Sequence, residues 1–206
     1  MIDHCREIVD ATPLPVSADL ERGKGDSPES AAETVTAAAA AGLAVCSLED
    51  HTGDPADPIY PFTLAVERVA AAVEAARALD RDFVLTARAE NLLWGRPDLD
   101  DTIRRLQAFE AAGADVLYAP GLAELPAVEA VCRAVSRPVN VLLQPGFTVA
   151  ALSEAGVKRI SLGSKLATYK FGMLEKASRE MLEDGTFAFA DECMPFARAN
   201  GLFGKR

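Results

Sequence analysis

The chain has 206 residues, half of them hydrophobic and a quarter charged, and its formal net charge is −10. This length suits one sizeable core, and the acidity, with no basic cluster, argues against a nucleic-acid surface. No apolar run is long enough to cross a membrane, and no signal-peptide pattern opens the chain. The four cysteines form no Cys-x-x-Cys pair, which favours free thiols in a reducing cytoplasm.

Short apolar strands alternate with helices along the chain, after an opening helix at residues 1–12. The predicted strands are residues 14–20, 43–48, 83–87, 115–118, 139–143 and 159–162. The predicted helices are residues 28–41, 61–79, 98–112, 125–135, 148–155 and 165–183, followed by a polar-aromatic tail. This alternation indicates an α/β fold with a parallel sheet, either open and doubly wound or closed as a (β/α)₈ barrel.

Two carboxylates follow the first predicted strand, which we expect to be buried. Alternation along a strand would place Asp19 and Glu21 on one face, about 6–7 Å apart. Such a pair is repulsive unless a cation lies between its members, and Mg²⁺ binds through one or two carboxylates and several waters. The alternative is that one carboxylate caps the next helix and the other is solvated.

Further polar residues follow the later strands, where either fold keeps its active site. They are Glu49, Asp50, Arg88, Glu90, Asn140 and the pair Gly163-Ser164. Several acids with one arginine suit an anionic substrate and a divalent metal that stabilises an enolate. Arg88 would then bind a carboxylate in bidentate fashion. The alternative is a ring of ion pairs between neighbouring strand ends.

Five other positions are weaker candidates. His51 could be an acid or base, although a loop histidine is more often solvated. Trp94 and Tyr118 suit packing or a pocket wall. Lys24, in a glycine loop, could contact an anion but is more simply solvated. Ser164 could open an anion site at a helix N-terminus, and an ordinary helix cap is favoured slightly.

Five segments resemble the isocitrate lyase / phosphoenolpyruvate mutase superfamily in order and spacing: PVSADLERGKGDSP, SLEDHTGDP, FVLTARAENLLWGRPDLDDTIRRLQAFEAAGADVLYAPG, RPVNVL and GVKRISLGS. The resemblance implies a TIM-type (β/α)₈ barrel that uses Mg²⁺, with Mn²⁺ as an alternative. It implies a lyase or phosphonomutase that cleaves C–C or C–P bonds of small 2-oxo or 2-hydroxy carboxylates through an enolate-type intermediate. It also implies a homo-oligomer, a dimer or tetramer.

The same resemblance suggests roles for individual residues. Asp19 and Glu21 match the metal carboxylates of the family. Glu49 matches a catalytic acid that helps to hold the waters of the metal. Arg88 matches the arginine that binds the substrate and takes part in catalysis, and Asn140 matches a substrate-binding position.

The chain departs from the family pattern in three places. The loop HTGDPADPIYP lacks the Lys-x-Cys-Gly-His motif of the lyases and the Lys and Asn of the mutases, so isocitrate-type cleavage by that route is not expected. Lys24 stands where the family usually has an aromatic residue. Family members also begin with two further βα units.

These missing units affect both the domain and the function that we expect. Residues 1–206 are predicted to form a single barrel domain without its first two βα units, with two open strand edges and an open apolar interior. The alternative to an enzyme is a truncated, non-catalytic barrel that serves as an assembly or metabolite-binding subunit. A phosphosugar-binding barrel is a third possibility, which rests on Gly163-Ser164 alone.

Overall fold

A six-stranded parallel sheet organises Met1–Ser161 in the computed structural model, which describes residues 1–204. The strands are β1 (Ser17–Asp19), β2 (Val45–Glu49), β3 (Val84–Arg88), β4 (Val116–Tyr118), β5 (Val139–Leu142) and β6 (Arg159–Ser161). They lie side by side in chain order, and each neighbouring pair is parallel. The sheet is an incomplete TIM-type barrel with β1 and β6 at its edges, which confirms the predicted fold class.

The helices between the strands begin and end at the signals in the sequence. They are α1 (Ile2–Asp10), α2 (Pro28–Ala40), α3 (Phe62–Arg77), α4 (Leu99–Ala111), α5 (Leu125–Ala134) and α6 (Val149–Glu154). Ser27 caps α2, where its side chain accepts a hydrogen bond from the Ser30 amide. Gly113 follows α4 with φ 103°, and a Cβ there would lie 2.9 Å from Val73 Cγ1, so the turn into β4 requires glycine.

The two faces of the sheet differ in chemistry because successive residues of a strand point to opposite sides. One face, which we call the helix-covered face, is apolar and buried; its residues are Cys46, Leu48, Leu85, Ala87, Leu117, Val139 and Val141. The opposite, inner face carries Asp19, Ser47, Glu49, Thr86, Arg88, Tyr118 and Asn140. The inner face also carries Val45, Val84 and Val116, so the predicted apolar interior is correct only in part: polar residues occupy the positions nearer the carboxyl ends of β2, β3 and β4.

The first strand is shorter and more exposed than predicted. Only Ser17–Asp19 pairs with β2, and Leu14 is 71% exposed, whereas Leu20, just after the strand, is buried. The prediction of a buried strand at residues 14–20 is wrong because β1 is an edge strand with a single neighbour. The other five strands begin and end within two residues of their predicted limits.

Leu162–Arg206 forms a second compact unit, of which residues 162–204 are described. It contains α7 (Lys165–Arg179), a π-helical turn (Glu180–Asp184), a 3₁₀ turn (Ala188–Glu192) and α8 (Phe196–Leu202). The long helix predicted after β6 is thus α7 with its π-helical extension, and the tail contains two short helical segments. Nowhere in residues 1–204 does a helix combine the length and apolar character needed to cross a membrane.

Candidate active site

Three carboxylates surround one arginine at the carboxyl ends of β1, β2 and β3. The Arg88 guanidinium contacts the Asp19 carboxylate, lies 3.1 Å from Glu49 Oε2 and donates to Glu90 Oε1 at 2.8 Å. We call these four residues the Arg88 cluster. Glu49 and Arg88 are directly opposite each other in the β2–β3 register, which explains why they meet. The alternative ring of ion pairs between strand ends is therefore what the structure forms.

The Arg88 cluster places three carboxyl groups around one guanidinium in a poorly solvated place. The pKa of Glu49 is raised to about 8, chiefly by burial; Arg88 opposes this rise, and Glu90 and Asp19 contribute to it. Burial also raises the pKa of Glu90, again against Arg88. Burial alone would lower the pKa of Arg88, but its three carboxylate partners raise it well above the usual value. An added cation would therefore be stabilised at this position.

A cavity of about 370 Å³ opens beside the Arg88 cluster. Its walls are Asp19, Glu21, Arg22, Glu49, His51, Gly53, Arg88, Glu90, Leu93 and Trp94. This volume suits a small acid. A larger cavity, of about 550 Å³, is lined by residues 76, 77 and 79–84 and by Asp115, and it contains none of the predicted site residues. We assign the site to the smaller cavity because the charged strand ends converge there.

Glu21 reaches this cavity by a different route from the predicted one. The strand ends at Asp19, and Glu21 adopts a left-handed conformation with φ 51°. Its amide donates to Asp19 Oδ1 at 3.1 Å, an oxygen that also accepts from the Ser47 hydroxyl at 3.0 Å. The predicted alternation on one strand face is wrong, and a tight turn places both carboxylates on the cavity wall.

The loop that carries Asp19 and Glu21 into α2 is held by an arginine that the sequence analysis missed. Arg68, on α3, is buried and donates to the Gly25 carbonyl at 2.6 Å and the Arg22 carbonyl at 2.5 Å. Its guanidinium lies 4.5 Å from the centre of the Tyr60 ring. An arginine among the buried small apolar positions of α3 is the signal that could have revealed it.

A second buried ion pair, Asp50 with Arg105, holds the backbone of Glu90 in place. Asp50 Oδ1 accepts from the Glu90 amide at 2.8 Å, and Asp50 Oδ2 accepts from Arg105 at 3.0 Å. Arg105 lies on α4 and also donates to Asp101. Asp50 was grouped with Glu49 in the sequence, but the two point in opposite directions because they are adjacent. Asp50 therefore fixes the backbone beside the site and does not line the cavity.

Asn140 is not on the cavity wall. It is fully buried on β5, where its Oδ1 accepts from Arg159 at 2.9 Å and its Nδ2 donates to Ser161 Oγ at 3.0 Å. Tyr118 separates it from Arg88 in the strand register, and the Tyr118 ring centre lies 5.2 Å from Arg88 Cζ. Asn140 thus continues the polar row of the inner face beyond the Arg88 cluster.

His51 is not solvated, contrary to the interpretation favoured for it. Its side chain is only 13% exposed, its ring stacks on Trp94 at 3.9 Å, and its Nδ1 lies 3.5 Å from Glu49 Oε1. Burial lowers its pKa, and nearby Arg22 acts in the same direction. Trp94 forms part of the cavity wall, one of the two roles predicted for it.

The two remaining candidates have ordinary surroundings. Lys24 is half exposed, with its ammonium 3.7 Å from Glu33. Ser164 occupies the N-cap position of α7, but its side chain makes no capping hydrogen bond. Neither residue gives independent support to an anion site.

The donor set of the cavity fits Mg²⁺. Residues 1–204 contain no group of three or more His, Cys, Asp or Glu side chains already arranged to hold a cation. Mg²⁺ does not need such a group, because it keeps several waters and binds through one or two carboxylates. Asp19, which is 58% exposed at its side chain, and Glu21 offer that number at the open side of the cavity.

The fold and the site together define a class: α/β proteins of TIM type with their charged groups at the carboxyl ends of the strands. The family model for phosphoenolpyruvate phosphomutase matches residues 1–182, and the chain belongs to this family, within the isocitrate lyase / phosphoenolpyruvate mutase superfamily. Other superfamily members are lyases, mutases and hydrolases of small carboxylates.

Individual relatives are similar over different shares of their length. An uncharacterized protein of Mycobacterium tuberculosis is 32% identical over 151 residues, 72% of this chain and 54% of that protein. A 2-methylisocitrate lyase of Salmonella typhimurium is 36% identical over 126 residues, 58% of this chain and 41% of the lyase. A solved structure from Burkholderia cenocepacia, provisionally assigned as a lyase/mutase, is 51% identical to this chain. The two structures superpose with a TM-score of 0.95, and the match covers 100% of this chain and 75% of the Burkholderia chain. The chain spans about half the length of these curated relatives.

Proposed function

We propose that this chain carries the active site of a Mg²⁺-dependent lyase or phosphonomutase-type enzyme. Its substrate would be a small 2-oxo or 2-hydroxy carboxylate, and a C–C or C–P bond would be cleaved through an enolate-type intermediate. The observation that carries the proposal is the excess of carboxylates around Arg88 on the wall of a cavity of about 370 Å³. Membership of the family supports the reaction class.

Asp19 and Glu21 would hold the cation, and Glu49 would orient the waters beside it. Bound Mg²⁺ supplies stabilisation of the negative charge that develops on a carbonyl oxygen of the substrate. Mn²⁺ would serve in the same place. The raised pKa of Glu49 supports this assignment, because a buried carboxyl with too few cationic partners gains most from a nearby positive charge.

Arg88 would bind the substrate carboxylate, although its guanidinium already contacts three carboxylates. Glu49 and Glu90 are nearly inaccessible, at 7% and 1% side-chain exposure, whereas Asp19 is 58% exposed. Asp19 is therefore the partner that exchanges most easily. When Asp19 turns to a cation, one edge of the Arg88 guanidinium becomes available to a carboxylate. This exchange makes cation binding a condition for substrate binding.

Asn140 remains a proposed substrate-binding residue, but it would have to give up an existing hydrogen bond to contact the substrate. Both polar groups of its side chain are engaged by Arg159 and Ser161, so contact with substrate requires one of them to be replaced. We also retain a homo-oligomer, a cytoplasmic location and a single incomplete barrel domain as predictions. The non-catalytic alternative, a metabolite-binding subunit, is favoured by one observation, the complete neutralisation of Arg88 by its own chain.

A turnover assay distinguishes these two candidates. The purified chain, with Mg²⁺, is incubated separately with oxaloacetate, 2-methylisocitrate and phosphonopyruvate, and the released products are measured. We expect turnover of at least one compound, its loss on chelation of the metal, and its loss in Asp19→Asn. Asp10→Asn, an exposed substitution at the end of α1, is the matched control and should behave as wild type. Binding of these acids without turnover would favour the non-catalytic subunit.

A further inference from the structure

His51 and Trp94 form a stacked pair on the wall of the cavity. Their ring centres are 3.9 Å apart and their planes differ by 6°. The two residues come from different loops, after β2 and after β3, and a bridge between His51 and Ile59 holds the first of these loops in place. The position of the imidazole is therefore fixed by packing and by backbone pairing.

One nitrogen of this imidazole has no partner. His51 Nε2 is buried, and no donor or acceptor among residues 1–204 makes a hydrogen bond with it. The other nitrogen, Nδ1, lies 3.5 Å from Glu49 Oε1 and so faces the Arg88 cluster. Buried polar atoms are normally paired, and an unpaired one beside a cavity points to a binding role.

Trp94, which packs on one face of this imidazole, is the more mobile partner of the stacked pair. It is 42% exposed and lies in the turn that follows β3, next to Gly95, where no atom lies within 4 Å of a hypothetical Cβ. A change of its rotamer would give up the stack on His51 and few other contacts. The core side chains of the helix-covered face have no comparable freedom.

We propose that His51 Nε2 recognises the hydroxyl group of a small 2-hydroxy carboxylate, and that Trp94 moves from the imidazole to admit it. This inference rests on the proposed function and identifies the substrate class for that same site. The carboxylate of the ligand would face Arg88, and its hydroxyl would face His51. His51 then sets specificity between 2-hydroxy acids and analogues that lack the hydroxyl.

A hydroxyl suits this position better than a second carboxylate. The neighbouring Glu49, Asp19 and Glu21 would repel another negative charge. A hydroxyl both donates and accepts, so it can pair with Nε2 in either tautomer of a neutral imidazole. A carboxylate oxygen can only accept and would pair with one tautomer alone.

The test uses the fluorescence of Trp94, the only tryptophan in the chain. Malate and succinate, which differ by one hydroxyl, are titrated into the full chain with Mg²⁺. We expect malate to bind about 3–10-fold more tightly than succinate, as one hydrogen bond allows, and to change the Trp94 emission. His51→Phe keeps an aromatic ring against Trp94 and should remove the preference. His4→Phe, at the exposed second histidine, should retain it.

A second measurement needs no variant. In protein labelled with ¹⁵N-histidine, which contains only two imidazoles, malate should shift the Nε2 resonance of His51 and succinate should not. An unchanged resonance, or a full malate preference in His51→Phe, would overturn the inference. Binding of oxalate with Mg²⁺ provides the separate check on the proposed function. If wild type fails to bind oxalate, the function itself is wrong, whereas oxalate binding without hydroxyl preference removes only the role of His51.

Discussion

The helix-covered face and the inner face belong to the same six strands, yet the first is packed with apolar side chains and the second carries the charged ones. Leu85 and Leu117 on the first face are completely buried among apolar neighbours. Glu49 and Arg88 on the second face are buried too, but among charges that are not balanced. Alternation within one strand therefore separates the residues that hold the fold from those available for chemistry.

The largest expected effect would break this separation. Arg88→Met removes the one cation from among three carboxylates, and loss of a buried partner typically costs about 3–5 kcal/mol of unfolding free energy. We expect urea unfolding to show a loss of this size, which added Mg²⁺ partly restores. A change below about 1 kcal/mol would mean that the Arg88 cluster is effectively solvated.

Substitutions at two adjacent residues of β4 compare the contributions of the two faces to the free energy of unfolding. Leu117→Ala, on the helix-covered face, should cost about 2–5 kcal/mol because it leaves a cavity in the core. Tyr118→Phe, the next residue and on the inner face, should cost only about 0.5–1.5 kcal/mol, because it removes a hydroxyl and leaves the ring in place. Urea unfolding of both variants gives the result. Equal costs would contradict the assignment of the two faces.

The third effect depends on pH. Burial raises the pKa of Glu49 in the folded chain from its ordinary value of 4.5 to about 8. Between these values the folded state binds more protons than the unfolded state, so stability should fall as pH rises, by at most about 1.4 kcal/mol per pH unit. Glu49→Gln should reduce this slope, of which buried Glu90 and Asp50 supply the rest, and the exposed control Glu74→Gln should keep it whole. Unfolding measured from pH 5 to pH 8 tests this, and parallel wild-type and Glu49→Gln profiles would exclude it.

The smallest effect serves as a baseline for the others. Arg133 pairs with Glu129 on the surface of α5, and the two side chains are 72% and 46% exposed. Arg133→Ala should change the unfolding free energy by less than about 0.5 kcal/mol, since solvent and salt screen such pairs. A larger loss would contradict this expectation. It would show that even exposed ion pairs stabilise this chain strongly, so that the loss in Arg88→Met could not be attributed to burial of its carboxylate partners.

Local patterns in the sequence predicted most of the fold. Caps such as Ser27 and glycines such as Gly113 fixed the helix limits, since these signals act within a few residues. The first strand was misjudged because exposure of an edge strand depends on its neighbours. The inner face was misjudged because the barrel interior was expected to be apolar, although Thr86 and Asn140 lie inside the strands and face it.

The candidate site was predictable in its residue types and less so in its geometry. Asp19, Glu49 and Arg88 meet because parallel strands bring their carboxyl ends together, as the order of elements implied. The contribution of Arg68 was not predictable, since it depends on a contact between residues more than 40 positions apart. The burial of His51 was hidden for the same reason, because Trp94 reaches it from another loop.

We propose that the inner-face carboxylates bind a divalent cation, which in turn allows a small acid to bind. Thermal unfolding of the chain, with and without Mg²⁺ and oxalate, tests it most directly. A ligand at about 100 times its dissociation constant adds about 2.7 kcal/mol, equivalent to a rise of about 5–10 °C in Tm for a chain of this size. We predict this rise only when Mg²⁺ and oxalate are both present, for wild type and Asp10→Asn but not Asp19→Asn. An unchanged Tm in wild type, or an equal rise in Asp19→Asn, would contradict the claim.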